Sequence, residues 1–111
     1  MSVRHVERET TESVYVFSTE KHACKVGVAG NVARRLKQIQ VHCPVDLFLY
    51  YEIRLPNPRA VERGAHQLLQ HARLWGEWFL CDPEECKKAV VEATAQLTKT
   101  YRTREECSER D

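Results

Sequence analysis

Three features of this 111-residue chain predict an α+β fold in the order β-β-α-β-α-β-α. Two short β-branched runs stand close together near the start, three helix starts led by Asn or Asp follow, and further apolar or aromatic runs lie between them. With 42% hydrophobic residues, a chain of this length supports one core and one small domain. The domain is expected over residues 13–98, between a flexible segment at 1–12 and a polar, mixed-charge tail at 99–111.

Val14–Phe17 and Cys24–Val28 are rich in β-branched and aromatic residues, and the polar break between them suits a hairpin, so they are expected to pair antiparallel. Asn31 then supplies an N-cap. Val32, Leu36 and Ile39 recur at helical spacing, so residues 31–40 read as an amphipathic helix that Pro44 prevents from continuing. Asp46–Leu55 is too apolar and aromatic for a loop and reads as the central strand. Asn57 at N-cap and Pro58 at N1 open a second helix whose apolar stripe is Val61, Ala65, Leu68 and Ala72. Gly64 inside it costs about 1 kcal/mol relative to alanine, so close packing or substrate approach is expected there. Trp78–Leu80 reads as a short strand. Asp82-Pro83-Glu84-Glu85 starts a last helix, with Cys86, Val90, Ala93 and Leu97 at buried spacing.

Nothing at the start resembles a signal peptide and no run approaches the ~18 apolar residues of a membrane span, so a cytoplasmic protein without membrane contact is expected. Five cysteines without a Cys-x-x-Cys pair argue against a disulfide framework or zinc ribbon; a zinc site from His22, Cys24, His42 and Cys43 is the sharper alternative to reduced structural thiols. The net charge of +1 hides segregation: residues 21–73 hold nine bases against three acids, between acidic ends. A basic middle of this kind suits a polyanion, because each neutralised phosphate releases condensed counterions. A solvated basic face without a partner is the plainer reading.

Phosphodiester hydrolysis needs a base to activate water, a cation to neutralise the phosphate, and a group to stabilise the leaving alkoxide. Tyr15, Arg35 and a metal-bound Glu62 are the candidates, with His66 one helical turn from Glu62 on the same face. One carboxylate, with phosphate oxygens and water, is a normal way to hold Mg²⁺ or Mn²⁺, and arginine suits bidentate contact with phosphate. Lys25, Arg34, Lys37, Arg63 and Arg73 are the bases expected to contact substrate.

These residues carry a resemblance. Ser13-Val14-Tyr15 and Lys25-Val26-Gly27 stand where the GIY-YIG nuclease superfamily has its two tripeptides, and Arg35 follows at the interval of its helix arginine. Ala60-Val-Glu62-Arg-Gly-Ala-His66 and Gly76-Glu77-Trp78-Phe79 resemble the later motifs of the phage- and bacterial-type branch whose second tripeptide reads Lys-Ile-Gly. The likeness spans about residues 13–95. It implies a small three-stranded antiparallel sheet flanked by helices and a DNA endonuclease using one divalent metal held by Glu62. It also implies Tyr15 as general base and Arg35 on the scissile phosphate. The first glycine is replaced by Ser13 and the second tyrosine by Lys25.

Each residue also has a structural reading: Tyr15 as a packed strand aromatic, Arg35 as a solvated helix residue, Glu62 and His66 as a surface pair, Trp75 as core closure or as a stacking surface for a base. Glu77 reads as an N-cap or salt-bridge acceptor, with a metal role as the sharper alternative. Two functions stay open: a Mg²⁺-dependent endonuclease, or a catalytically weak or inactive relative that binds nucleic acid or protein. Targeting would come from a partner protein, a homodimer or substrate shape.

Overall fold

The structure is a computed structural model that describes the backbone of residues 12–110 and the side chains of residues 12–98. Apart from Glu12, the N-terminal segment expected to be flexible lies outside the described residues. Strands β1 (Ser13–Ser18) and β2 (Ala23–Ala29) form the expected antiparallel hairpin, in a register that sets Tyr15 opposite Gly27 and Phe17 opposite Lys25. Thr19 closes the loop between them, its Oγ1 accepting from the backbone N–H groups of Lys21 and Ala23.

Helix α1 (Val32–Gln40) begins where Asn31 Oδ1 accepts from Arg34 N at 3.0 Å. Strand β3 (Phe48–Arg54) and helix α2 (Pro58–Leu68) follow; a 3-10 turn (Gln70–Ala72) then leads into β4 (Arg73–Trp75), β5 (Trp78–Leu80) and helix α3 (Pro83–Arg110). The polar segment from residue 99 therefore continues α3 to Arg110.

All five strands pair antiparallel in one sheet, in the order β3-β1-β2-β5-β4. This corrects two expectations. The sheet has five strands, because Arg73–Trp75 pairs with β5 as a hairpin around Gly76, whose φ of +56° is the left-handed conformation a glycine tolerates. And among the described residues β3 is an edge strand that pairs with β1 alone, with Phe48, Leu49 and Tyr50 exposed; the middle position belongs to β2.

The alternation of β1 and β2 divides the core between the two faces of the sheet. Val14, Val16, Cys24, Val26 and Val28 pack with Val61, Ala65 and Leu69 and with Cys86, Val90 and Ala93, so α2 and α3 cover one face. Tyr15, Phe17 and Ala29 pack with Val32 and Leu47, with Leu36, Ile39 and Trp78 around them, so α1 covers the other. The expected stripe of α2 is shifted at its end: Leu68 is exposed and Leu69 is buried instead, because the chain leaves α-helical phase after Leu68 and tightens into the 3-10 turn. Gly64 is explained by packing. A Cβ there would lie 3.1 Å from the Cβ of Ala93, so the absent side chain lets α2 approach α3 closely.

Among the described residues no helix is long and apolar enough to cross a membrane.

Candidate active site

The site lies where β5 stops short along β2. Their pairing ends at Lys25 opposite Trp78, followed by one further bond from Val26 N to Glu77 O at 3.1 Å. Beyond that point the β2 edge is taken over by α2: His66 Nε2 lies 2.8 Å from the Val26 carbonyl, which can only accept, so Nε2 carries the proton. His66 thereby docks α2 against the open edge of β2. The ring also tilts against Phe79, 5.2 Å between centroids. Glu62 Oε2 stands 3.9 Å from the same nitrogen, outside hydrogen-bond range, so the Glu62–His66 contact is secondary to the carbonyl bond.

Tyr15 occupies the α1 face of the sheet, fully buried and stacked on Phe17 at 4.0 Å between ring centroids. Its ring covers Gly27. A Cβ at that glycine would lie 2.4 Å from Tyr15 Oη and 2.7 Å from Cζ, so only glycine leaves room for the phenol opposite it. Tyr15 Oη is buried with no hydrogen-bond partner among the described residues. Burial first, then the Glu77 carboxylate, push its pKa up to about 12, and Arg35 nearby offsets this only in part. Arg35 itself is half-buried and tethered to β2, Nη1 donating to the Val28 carbonyl at 3.4 Å.

Glu77 is the residue whose centrality the sequence reading missed. It sits in the β4–β5 turn and its Oε1 accepts from Lys25 Nζ at 2.8 Å. Glu62 lies near enough for the two carboxyl groups to influence each other's titration. Burial, with the hydrogen bond and charge of Glu77, pushes the Glu62 pKa up to about 7. Burial acts to raise Glu77 as well, but Lys25, by hydrogen bond and charge, holds it below its ordinary value. Glu62 thus favours its protonated form more than a free carboxyl does, while Glu77 favours its charged form beside Lys25. The Gly76-Glu77-Trp78-Phe79 run was the available signal; what it does not reveal is that a turn residue reaches back to a helix glutamate.

The expected substrate-binding residues are placed differently from one another. Lys25 and Arg35 line a groove of about 750 Å³ between the end of α1 and the β4–β5 turn, with Glu77 beside them. Arg34 and Lys37 are exposed on α1. Arg63 is exposed on α2 and lines a separate surface hollow with Arg59 and Asn57. Arg73 is engaged in the fold: Nη1 donates to the Gly76 carbonyl at 2.5 Å, and the guanidinium lies 5.3 Å from the Phe79 ring centre, bracing the turn that carries Glu77.

The zinc alternative does not assemble. Cys24 is buried on the α2–α3 face, its thiol donating to Ser18 Oγ and to the Cys81 carbonyl, while Cys43 packs on the opposite face beside α1. Among the described residues no three His, Cys, Asp or Glu side chains form a metal-binding group. What Glu62 and Glu77 offer is a pair of hard oxygen donors, the chemistry of Mg²⁺ or Mn²⁺, in which phosphate and water would complete the shell. The buried, unsatisfied Tyr15 phenol, the tethered Arg35 guanidinium and the nearby Glu62 and Glu77 carboxyls are group types suited to a negatively charged phosphoryl centre.

Neither the curated proteins nor the solved structures include a match to this chain. A protein-family comparison matches residues 12–94, the whole span from β1 to α3 that carries the site, to the T5orf172 domain, a phage-type domain associated with homing-endonuclease and GIY-YIG-like nucleases. The chain therefore belongs to the T5orf172 domain family.

Proposed function

We propose that this chain is a metal-dependent endonuclease of the GIY-YIG type that hydrolyses phosphodiester bonds in DNA. The observation that carries the reading is the Tyr15 hydroxyl, buried without a hydrogen-bond partner among the described residues, with the tethered Arg35 and the carboxyl groups of Glu62 and Glu77 near enough to act on it. Glu62, with Glu77 at its side, would hold Mg²⁺ or Mn²⁺. Burial raises the cost of ionising Glu62, and a cation beside it would offset that cost. When bound, that ion supplies charge neutralisation at the phosphate and acidifies its water.

The protein's own groups do the remainder. Arg35, anchored by the Val28 carbonyl, presents its guanidinium to a phosphate without paying for rotamer ordering at the moment of binding. Lys25 exchanges its carboxylate partner for a phosphate oxygen. Tyr15 holds its proton at Oη at neutral pH, since burial keeps the phenol neutral; removing that proton requires positive charge beside Oη beyond what Arg35 provides. His66, its Nε2 committed to Val26, positions Glu62 by fixing α2 on the β2 edge.

One observation favours a second reading, a catalytically weak or inactive nucleic-acid-binding relative: Lys25 already neutralises Glu77 at 2.8 Å, standing where the resembled nucleases carry a tyrosine. Nicking of supercoiled plasmid with Mg²⁺ or Mn²⁺ against EDTA separates the two. Cleavage by wild type that is lost in Glu62→Ala and reduced at least tenfold in Tyr15→Phe supports the nuclease. Folded wild-type protein that binds DNA but leaves duplex, single-stranded and branched substrates uncut supports the second reading.

A further inference from the structure

The groove that begins at Lys25 and Arg35 ends in aromatic surface that the reaction does not use. Trp75, the last residue of β4, is 70% exposed at its rim. Its cross-strand partner Trp78 is half-buried and already covered, with Lys25 Nζ 5.7 Å from the ring centre. An indole buries ~150–250 Å² when packed, so leaving Trp75 in water forgoes most of that gain. It is also held rigidly: β4 is braced by the Arg73–Gly76 bond and paired with β5. The groove, about 750 Å³, falls in the ~300–1,000 Å³ range of sites that enclose a small ligand.

We propose that this groove is a nucleobase subsite, in which Trp75 stacks an unpaired base next to the phosphate bound by Arg35 and Lys25. The substrate class is therefore a strand with at least one unpaired nucleotide beside the scissile position (a flap, bubble or single-stranded stretch) and not continuous duplex. The chemistry selects this occupant over a protein. Two cationic groups and an exposed ring on one groove match the alternation of phosphate and base along a strand, and a stacked duplex has no free base face to offer. Ile39 and Pro44 line the same groove, and stacking on an indole is open to every base because each has a π-face, so the subsite is expected to tolerate any base. This inference rests on the nuclease reading for the identity of the phosphate site, but its test does not depend on turnover.

The test is titration of the Glu62→Gln protein with three fluorescence-silent probes of one sequence: a single strand, a blunt duplex and a duplex with a short single-stranded flap. Tryptophan emission is followed, alongside the same titrations of Glu62→Gln carrying Trp75→Ala or Trp75→Phe. Quenching by strand and flap is expected, with both binding at least tenfold tighter than the duplex. Trp75→Ala should weaken strand binding by roughly 5- to 150-fold, the range of base–aromatic stacking of ~1–3 kcal/mol, and Trp75→Phe should keep most of it. Equal or tighter binding of the blunt duplex, unchanged strand binding in Trp75→Ala, or no binding of any probe would overturn the proposal. So would concentration-dependent self-association by sedimentation that Trp75→Ala abolishes, which would assign the surface to a second copy. Absence of cleavage of plasmid, single-stranded and flap substrates by wild type together with Trp75-dependent strand binding would sink the nuclease reading alone. Cleavage together with strand binding indifferent to Trp75 would sink the subsite alone.

Discussion

Gly27 and Tyr15 are the tightest coupling of sequence to site at the level of single residues. The glycine opposite the phenol is required by contact: with 2.4 Å between a Cβ there and Oη, and 2.7 Å to Cζ, Gly27→Ala must displace a ring that is fully buried and stacked on Phe17. Overpacking of this kind costs about 1–3 kcal/mol, and we expect chemical denaturation to show that loss, with nuclease activity falling to background. Adding Tyr15→Phe should not rescue the fold, because the Cζ contact remains. Glu62 gives a second expectation. Its folded pKa of about 7 lies above the ordinary 4.5, so folding favours the protonated carboxyl; that contribution is complete below about pH 4.5 and is lost as pH rises through about 7. Glu77 is shifted the opposite way, so its own contribution grows with pH; being 41% exposed, it is the smaller partner. Metal-free Glu62→Gln should therefore outlast wild type at about pH 8 by on the order of 1–3 kcal/mol in thermal unfolding, and the two should converge near pH 4. A wild-type advantage at pH 8 would contradict the assignment of burial as the main cause.

Among the elements, the ends of strands and the phase of helices decided what could be read from the chain. Asn31 and Asp82 marked helix starts by local capping, Asn31 Oδ1 accepting from Arg34 N and Asp82 Oδ1 from Glu84 N, while the start at Asn57-Pro58 is marked by proline at N1 alone, since Asn57 makes no cap hydrogen bond. The β1–β2 hairpin was equally legible from alternation and its polar break. The place of β3 was not: an apolar, aromatic run states that a segment is extended but not which neighbours it has, and among the described residues β3 lies at an edge of the sheet. β4 escaped because three residues around a turn carry no periodicity. Glu77 was hidden for a related reason, since its meaning lies in a contact with Lys25 across 52 residues of sequence separation. Two expectations belong here. Gly64→Val should destabilise the fold by about 1–3 kcal/mol, since the α2–α3 contact at Ala93 is already tight, while an exposed neighbour such as Arg63→Val should cost much less; both are measurable by urea denaturation. His66→Ala should leave the Val26 carbonyl without its partner, costing about 1–3 kcal/mol, with Gln as the better replacement because it retains a donor.

For the molecule as a whole, the sheet separates tasks by face. The α2–α3 face carries most of the aliphatic core, and the α1 face carries the phenol, the guanidinium and the groove. The charge segregation read from the chain finds its partial counterpart here: Lys25, Arg34, Arg35 and Lys37 belong to β2 and α1, whereas Arg63 lies on α2 and Arg73 is spent on the turn. Nucleic-acid affinity should accordingly depend on a few phosphate contacts. Plotted against log salt concentration, log affinity for a single strand is expected to fall with a slope of about −2 to −3, and Arg34→Ala with Lys37→Ala should make it shallower by about 1. A salt-independent affinity would place the binding surface elsewhere.

The β4–β5 hairpin is joined to the rest of the sheet by three strand pairs and by the flanking backbone bonds Val26 N to Glu77 O and Cys81 N to His22 O, and it holds Glu77, Trp75 and the turn at Gly76. Phenol, arginine and helix glutamate stand on the other part of the molecule. The hairpin's tip and its base therefore carry different duties: Phe79 is fully buried in the core and Glu77 is tied to Lys25, whereas Trp75 projects into the groove and can be exchanged without touching either.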